Sequence, residues 1–494
     1  MLSSWYLAIG LFSLFVFYYA QKSIQRHLLL SHIPAVGPQN WVGSFFASID
    51  HLFRSRQYME AGFSKYGNRP YKIPGVGSWV VVVNGAIMEE IAHMSDEAVS
   101  VGEAIHELTR AEYTLGSNIL RNPFHVPLVT RFAKEHHSVF PDINEEIVSA
   151  LSDFIKLSYC DEWTGINICD VMLHVIARTA NRAFAGLSLC RDEGFLQTCM
   201  KFPDEIMKVA VIMNITPPFA RPLAAKLFSN IDALVDKGTS YISEVLKERR
   251  ELQDRGKVPN DLLSWMLDAA PETENTIPSL ARRYLVLNFA ALHTSTGSLN
   301  HTLYHLAAHP EWVDVLREEV VTVTEQLGWT YEAIEKMYRI DSLIKESLRY
   351  SGIAWATMER KTMQPLTLSD GTYIPKGTLI FTTDLPHRDP SKYDDPQTFD
   401  PWRFYKMRNS DNLASSAPLT AVGPAFVTFG RGRHTCPGRF FAAMELKTII
   451  AHILLDYDIK FLDGKRPKDS IFVYQCFPNP KARVLFRRRV CKSE

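Results

Sequence analysis

The sequence predicts a mainly α-helical protein with small β-sheets, carried behind one apolar N-terminal helix. Three observations predict it. Helical patterning runs without a break from Pro278 to Pro310, long enough to cross a whole domain. Short apolar runs with Gly and Pro turns, at Arg69 to Val83 and Asp370 to Thr378, read as strands. Residues 1–21 carry no charged side chain. Across 494 residues no Gly/Ser linker, low-complexity tract or internal repeat follows the first forty. Residues 39–494 are therefore read as one domain, although length alone would suggest about three.

The N-terminal run is dominated by Trp5 to Phe12 and Leu14 to Tyr19. About 20 residues of helix span roughly 30 Å, enough for one membrane crossing. Lys22 and Arg26 follow, so the positive-inside rule puts the remainder in the cytoplasm. A cleaved signal peptide is the alternative. Against it stand the length of the run, the absence of a preceding positive side chain and the lack of clear small-x-small spacing. Residues 22–38 read as a hinge, because Ile33-Pro34-Ala35-Val36-Gly37-Pro38 breaks any helix leaving the bilayer.

Further along, Arg69 to Ile73 and Trp79 to Val83 read as a strand pair around Gly75-Val76-Gly77. Residues 100–125 lack periodicity and are expected to form a loop. Val171 to Gly186 reads as an amphipathic helix ending at glycine, and Val209 to Phe219 is an apolar run closed by two prolines. Asp341 to Tyr350 reads as a helix with Glu346 and Arg349 three residues apart on one face. An exposed pair at this spacing is worth only about 0.3–0.5 kcal/mol.

Lys+Arg and Asp+Glu each total 54, which gives no reason to invoke nucleic acid as a partner. The seven cysteines (Cys160, Cys169, Cys190, Cys199, Cys436, Cys476 and Cys491) are odd in number and widely spaced. That argues against a disulfide framework and fits a reducing compartment.

The chemistry concentrates at Phe429-Gly430-Arg431-Gly432-Arg433-His434-Thr435-Cys436-Pro437-Gly438-Arg439, with a helical pattern following. Gly432 and Gly438 allow a tight turn that brings main-chain N–H groups near the sulfur. Arg431, Arg433, His434 and the next helix's dipole add positive potential, which favours a thiolate. A lone thiolate is a nucleophile or a single metal ligand. His434, two residues away, is a poor base for a nucleophile, and a zinc site would need further Cys or His close by. A haem iron takes one thiolate and receives its equatorial ligands from the porphyrin. A buried packing cysteine in a glycine-rich turn fits these residues as well.

The spacing Phe429-x-x-Gly432-x-His434-x-Cys436-x-Gly438 resembles the haem-binding loop of the cytochrome P450 superfamily, the haem-thiolate monooxygenases, and is closest to membrane-bound fungal members acting on terpenoid or steroid-like skeletons. The resemblance can be followed over almost the whole chain. It implies the cytochrome P450 fold, haem b with Cys436 as axial ligand, Phe429 packed beside the sulfur, and His434 on a haem propionate. It places Phe289-Ala290-Ala291-Leu292-His293-Thr294-Ser295 over the haem, with Ala290 and Ala291 in the pocket and Thr294 as the hydroxyl that steadies dioxygen for protonation. The family has Gly at Ala291 and an acid at His293. A histidine there can relay protons or face the packed side.

By the same resemblance, Glu346, Arg349 and Arg403 form one buried network behind the haem. Ile353, Ala354 and Trp355 line the pocket, Phe472, Val473 and Tyr474 form its last turn, and Arg360 is a further propionate candidate. The family's usual Trp-x-x-x-Arg helix is absent, its nearest counterparts being His125 and Arg131. The run Val209 to Phe219 would roof the pocket and touch the bilayer.

The implied activity inserts one atom of dioxygen into a lipophilic molecule of secondary metabolism. No flavin or nicotinamide fingerprint occurs, so NADPH is used indirectly through a separate NADPH–cytochrome P450 reductase, with cytochrome b5 a further electron donor. Arg431, Arg433 and Arg439 offer the reductase a basic face. The alternatives are a haem-thiolate isomerase or dehydratase needing no reductase, and a non-catalytic haem sensor or carrier.

Overall fold

The computed structural model describes residues 20–21, 24–25, 28–75, 78–157 and 162–489. The expected anchor, residues 1–21, lies almost wholly outside them. Among the described residues no helix is long and apolar enough to cross a membrane.

The helices that position the site are α1 (Trp41–Tyr66), α2 (Val101–Thr109), α3 (His125–Phe154), α4 (Ile168–Ala185), α5 (Glu193–Ile215), α6 (Ile231–Asp254), α7 (Ile277–Ala308), α8 (Tyr338–Tyr350) and α9 (Arg439–Asp456). Helix α7 is the long helix expected between Pro278 and Pro310. Pro278 sits in its first turn, where the missing N–H costs no hydrogen bond. Leu280, Tyr284, Leu285, Leu292, Leu299 and Leu303 are fully buried on one side, and Arg283, Val286 and His301 are buried on the other. A helix buried nearly all round belongs inside, and α4, α5, α6, α8 and α9 all pack against α7. Asn181 of α4 bridges two α7 side chains, accepting from the Tyr284 hydroxyl (2.6 Å) and donating to Asn288 (2.9 Å). Helix α4 ends at Gly186 with φ 84°, the terminus expected from the sequence.

The expected loop at 100–125 is corrected by α2. Ser100 accepts the Glu103 N–H at 3.1 Å as a helix cap. Ser100-Val101-Gly102-Glu103 has the capping-box order, a start signal that is independent of apolar periodicity.

The strands are β1 (Tyr71–Gly75), β2 (Ser78–Val83), β3 (Val99–Ser100), β4 (Thr164–Ile166), β5 (Ala356–Thr362), β6 (Leu366–Thr367), β7 (Tyr373–Ile374), β8 (Leu379–Thr383), β9 (Tyr457–Lys460), β10 (Ser470–Phe472), β11 (Gln475–Phe477) and β12 (Val484–Arg488). The main sheet runs β1-β2-β8-β5-β3, beside a sheet β4-β12-β9 and the hairpins β6-β7 and β10-β11. β1 and β2 are antiparallel with Tyr71 opposite Val82, and β2 runs parallel to β8. The proline segment is laid along β1. Pro34 accepts the Lys72 N–H (2.8 Å), and Val36 donates to the Lys72 carbonyl (2.9 Å). Lys72 itself is buried with Nζ on the Leu30 carbonyl, and burial lowers its ammonium to about 8. Cys169, Cys190, Cys199, Cys436 and Cys476 are all free thiols.

Candidate active site

The cysteine loop runs from Thr428 into α9. Gly430 and Gly432 lie in the left-handed region at φ 72° and 69°, and the Cys436 N–H closes the turn on the Phe429 carbonyl at 2.7 Å. Gly432 is needed on two counts, since a Cβ there would stand 2.1 Å from the Ala92 carbonyl oxygen. Gly438 differs from the expectation. Its φ is −87°, and a Cβ would meet only Val129 at 3.6 Å, an ordinary contact.

The charges around the sulfur also differ from the expectation. Burial pushes the Cys436 thiol up, opposed by the backbone N–H groups of Gly438 and Arg439 and by the Arg439 guanidinium. Arg431 is held by Glu89 at 3.1 Å and His434 by Asp96 at 2.7 Å. Arg439 turns inward, donating to the carbonyls of Cys436 (2.9 Å) and Thr420 (3.2 Å). The main-chain donors are where the turn was expected to put them, but most of the basic side chains are engaged elsewhere.

Cys436, Phe429 and His434 line one cavity of ≈ 260 Å³ together with Ile353, Ala354, Glu359 and Arg360. Ile353 also faces α7, because a Cβ on Gly297 would lie 3.8 Å from its Cγ2. Ala290 and Thr294 share that face by helical spacing and are exposed although they sit mid-helix. Thr294 Oγ1 donates to the Ala290 carbonyl at 2.8 Å, which leaves its lone pairs free to accept. The helix continues unbroken past it. Ala291 is half-buried against the core. His293 points elsewhere, its Nε2 3.7 Å from Asp204 Oδ1 of α5.

Several expected residues lie outside this lining. His125 is buried, with Nδ1 3.1 Å from Arg283, and burial lowers it to about 4. Arg131 stacks on Trp265 at 4.5 Å and faces Glu135 at 3.6 Å. The Trp355 ring sits between Arg56 (4.1 Å) and Arg388 (5.2 Å). Phe472 contacts Phe53 of α1, the Val473 N–H donates to the Leu52 carbonyl (2.6 Å), and the Tyr474 carbonyl accepts the Trp355 N–H (2.8 Å). The β10-β11 hairpin thus clamps the backbone of the cavity wall.

Behind the loop, Glu346 accepts two 2.7 Å bonds from Arg349, and both side chains are fully buried. Arg403 Nε lies 3.2 Å from the same carboxylate, and the Asp400 N–H donates to it at 2.9 Å. Arg349 also donates to the carbonyls of His387 (2.7 Å) and Pro396 (2.8 Å). Sequence reasoning missed His387. Its ring Nε2 accepts the Val427 N–H at 3.0 Å, which ties the charge network to the cysteine loop.

Haem fits these residues. The site offers one thiol, basic groups at Arg360 and His434, and a small-residue helix face beside Ile353. Two buried polar atoms of the lining, His387 Nδ1 and Thr428 Oγ1, have no partner among the described residues and are free to meet a polar group.

A thiol presented in this way, behind a long central helix, defines the haem-thiolate oxidoreductases. The chain belongs to the cytochrome P450 family, whose model matches residues 79–485. It is similar to cytochrome P450 monooxygenase 71 of Postia placenta, 35% identical over 474 residues, covering 94% of this chain and 95% of the relative. Cytochrome P450 monooxygenase CYP512U6 of Ganoderma lucidum is 32% identical over 93% of this chain and 92% of its own length. Ent-kaurene oxidase of Gibberella intermedia is 30% identical over 94% and 89%. These place it among the fungal monooxygenases. A solved structure, retinoic acid bound cyanobacterial CYP120A1, shares the fold with TM-score 0.68 and 19% identity, covering 92% of this chain and 98% of that one.

Proposed function

We propose that the chain is a haem-thiolate monooxygenase that oxidises a lipophilic, terpenoid or steroid-like intermediate of fungal secondary metabolism. The observation that carries this is one cavity lined by Cys436, Phe429, Arg360 and His434. Cys436 Sγ would hold the haem iron with Phe429 packed beside it, and Arg360, with His434 once it leaves Asp96, would supply positive charge to the propionates. Of the four basic candidates for that role, these are the two on the cavity. Haem, when bound, supplies the activation of dioxygen. Ala290, Ala291 and Ile353 shape an apolar floor for substrate, and Thr294 Oγ1 accepts a hydrogen bond on the reacting side. His293 Nε2, facing Asp204, holds a proton at the outer flank of α7. Electrons come from NADPH through a separate reductase, with Arg433 the most exposed arginine of the loop available for docking.

The membrane reading rests on the composition of residues 1–21 and on exposed apolar residues elsewhere in the chain. Phe46 and Phe53 on α1, and Phe219, Leu223 and Leu227 after α5, are all more than half exposed. The similarity to a protein named ent-kaurene oxidase supports a terpenoid substrate.

The test is reductase-coupled turnover on a terpenoid and steroid panel, alongside the ferrous–CO spectrum of wild type and Cys436→Ala. The long-wavelength Soret band of a thiolate-ligated complex is expected in wild type and lost in the variant. Its survival in Cys436→Ala would overturn the ligand assignment. Turnover without reductase would favour the isomerase or dehydratase instead.

A further inference from the structure

Lys345 is a buried cation that the site described above does not use. It stands on α8 one residue before Glu346 and is 1% exposed. Its Nζ donates to three carbonyls of one loop, those of Ser416 (2.7 Å), Pro418 (2.7 Å) and Ala421 (3.4 Å). An ammonium carries three N–H donors and no acceptor, so the three carbonyls use it fully. The rings of Phe404 and Phe426 cover it at 4.8 and 4.4 Å. Among the described residues no carboxylate bonds to it. Asp341, one turn earlier on α8, instead accepts the Leu419 N–H of the same loop at 2.8 Å. Burial lowers the ammonium to about 7, against the charge of Asp341 and with that of Arg408, so the charged form prevails in weak acid.

The loop held in this way carries Thr420 between two of the carbonyls that Lys345 engages. The Thr420 carbonyl accepts from Arg439 Nε at 3.2 Å, and Arg439 Nη1 donates to the Cys436 carbonyl at 2.9 Å. Arg439 has no carboxylate partner among the described residues, and it is the basic side chain whose charge acts on the sulfur. Its place is therefore fixed by two carbonyls. One belongs to the cysteine itself, and the other to the loop that Lys345 fastens to α8. Buried carbonyls that lose a shared donor are costly to leave unpaired. Without Lys345 the segment 416–421 turns toward water, and the Thr420 carbonyl moves with it.

We propose that Lys345 is a positioning residue for the thiolate: through the loop 416–421 it holds the Arg439 guanidinium beside Cys436. The inference rests on Cys436 as the iron ligand and deepens that reading, because the strength of the ligand is then set in part from α8. A positive charge beside a thiolate draws electron density away from the metal and favours its reduced state.

The test uses the haem-loaded full chain at about pH 6, below the value of Lys345. It reads the ferric–ferrous midpoint potential and the lifetime of the long-wavelength ferrous–CO band. Arg439→Met should lower the potential and shorten that lifetime severalfold. Lys345→Met should move both in the same direction. The double variant should go no further than Arg439→Met alone, since the two side chains act in series. Lys345→Gln keeps two N–H donors and should give a smaller shift of the same sign. A wild-type potential in either Met variant would overturn the proposal. Additive shifts in the double variant would overturn it too, routing Lys345 through Phe426, whose ring meets Phe429 at 6.5 Å. Haem lost from both Lys345 variants but kept by Arg439→Met would make Lys345 a folding residue and end its positioning role. Absence of the band in wild type would strike the ligand assignment itself, whereas its presence beside an unmoved potential would strike only the role of Lys345.

Discussion

Arg349 and His387 meet backbone to side chain: the guanidinium Nη1 donates to the His387 carbonyl at 2.7 Å. The imidazole of His387 then accepts the Val427 N–H, two residues before Phe429, at 3.0 Å. One buried histidine therefore couples the charge network on α8 to the turn that presents Cys436.

Accepting at Nε2 requires the neutral ring, and burial lowers His387 from 6.5 to about 3. Between those values the unfolded chain binds a proton that the native state does not. His387 therefore contributes stability that is present above about pH 6.5 and lost as the pH falls toward 3, by ~1.4 kcal/mol per pH unit. His51, His125, His301 and His452 are each lowered to about 4 and act in the same direction. His387→Gln should lose about 1–3 kcal/mol near neutral pH, because the Val427 N–H is left poorly paired. It should also show a shallower decline in acid. Urea unfolding at a series of pH values checks both, and a decline parallel to wild type would remove His387 from the acid response.

The Glu346 carboxylate is shared by Arg349 and Arg403 with no exposure. Glu346→Ala leaves two buried guanidinium groups short of their counter-charge, at a cost on the order of 3–5 kcal/mol. Little folded, haem-loaded protein is expected, measured as haem per polypeptide and Tm. Normal haem content with selective loss of turnover would instead assign Glu346 to catalysis.

Two glycines of the loop should answer oppositely to the same change. Gly432→Ala must tolerate φ 69° and a Cβ 2.1 Å from the Ala92 carbonyl, so it should lose haem incorporation. Gly438→Ala, at φ −87° with nearest contact 3.6 Å, should retain it. The pyridine haemochrome yield of the two variants decides, and equal yields would contradict the loop geometry.

What the sequence disclosed was local. Cys436 between glycines, Glu346 and Arg349 one turn apart, and the unbroken pattern of α7 are all short-range signals, and each stands where expected. The fit of Gly432 against Ala92 and the pairing of His293 with Asp204 depend on elements far apart in the chain, which no spacing reveals. Arg431 and His434 read as free positive charge for the same reason, because Glu89 and Asp96 lie more than three hundred residues away in the chain. Helix α2 was missed for a different reason. It is held by the Ser100 cap and has only Ala104 fully buried, so periodicity was silent while the cap was not.

In α7 this chain has His293 in place of its family's acid. Adjacent helical residues point about 100° apart, and the structure separates the two accordingly. Thr294 lies on the face of Ala290 and Gly297, while His293 lies toward α5 with Nε2 3.7 Å from Asp204. That distance is too long for a direct hydrogen bond, and Nε2 is enclosed without a hydrogen-bond partner among the described residues. Asp204 itself is 77% exposed. The carboxylate that faces His293 thus comes from α5. If protons enter by this route, Thr294→Ala should keep haem and substrate binding but divert reducing equivalents to peroxide. His293→Gln and Asp204→Asn should each slow turnover severalfold, and the double variant no further, because both act on one path. Product formed per NADPH consumed is measured for all four proteins, together with the solvent isotope effect on turnover. Unchanged coupling in Thr294→Ala would sink the role of its hydroxyl. Additive losses in the double variant, or an isotope effect identical to wild type in both single variants, would leave His293 as a packing residue between two helices.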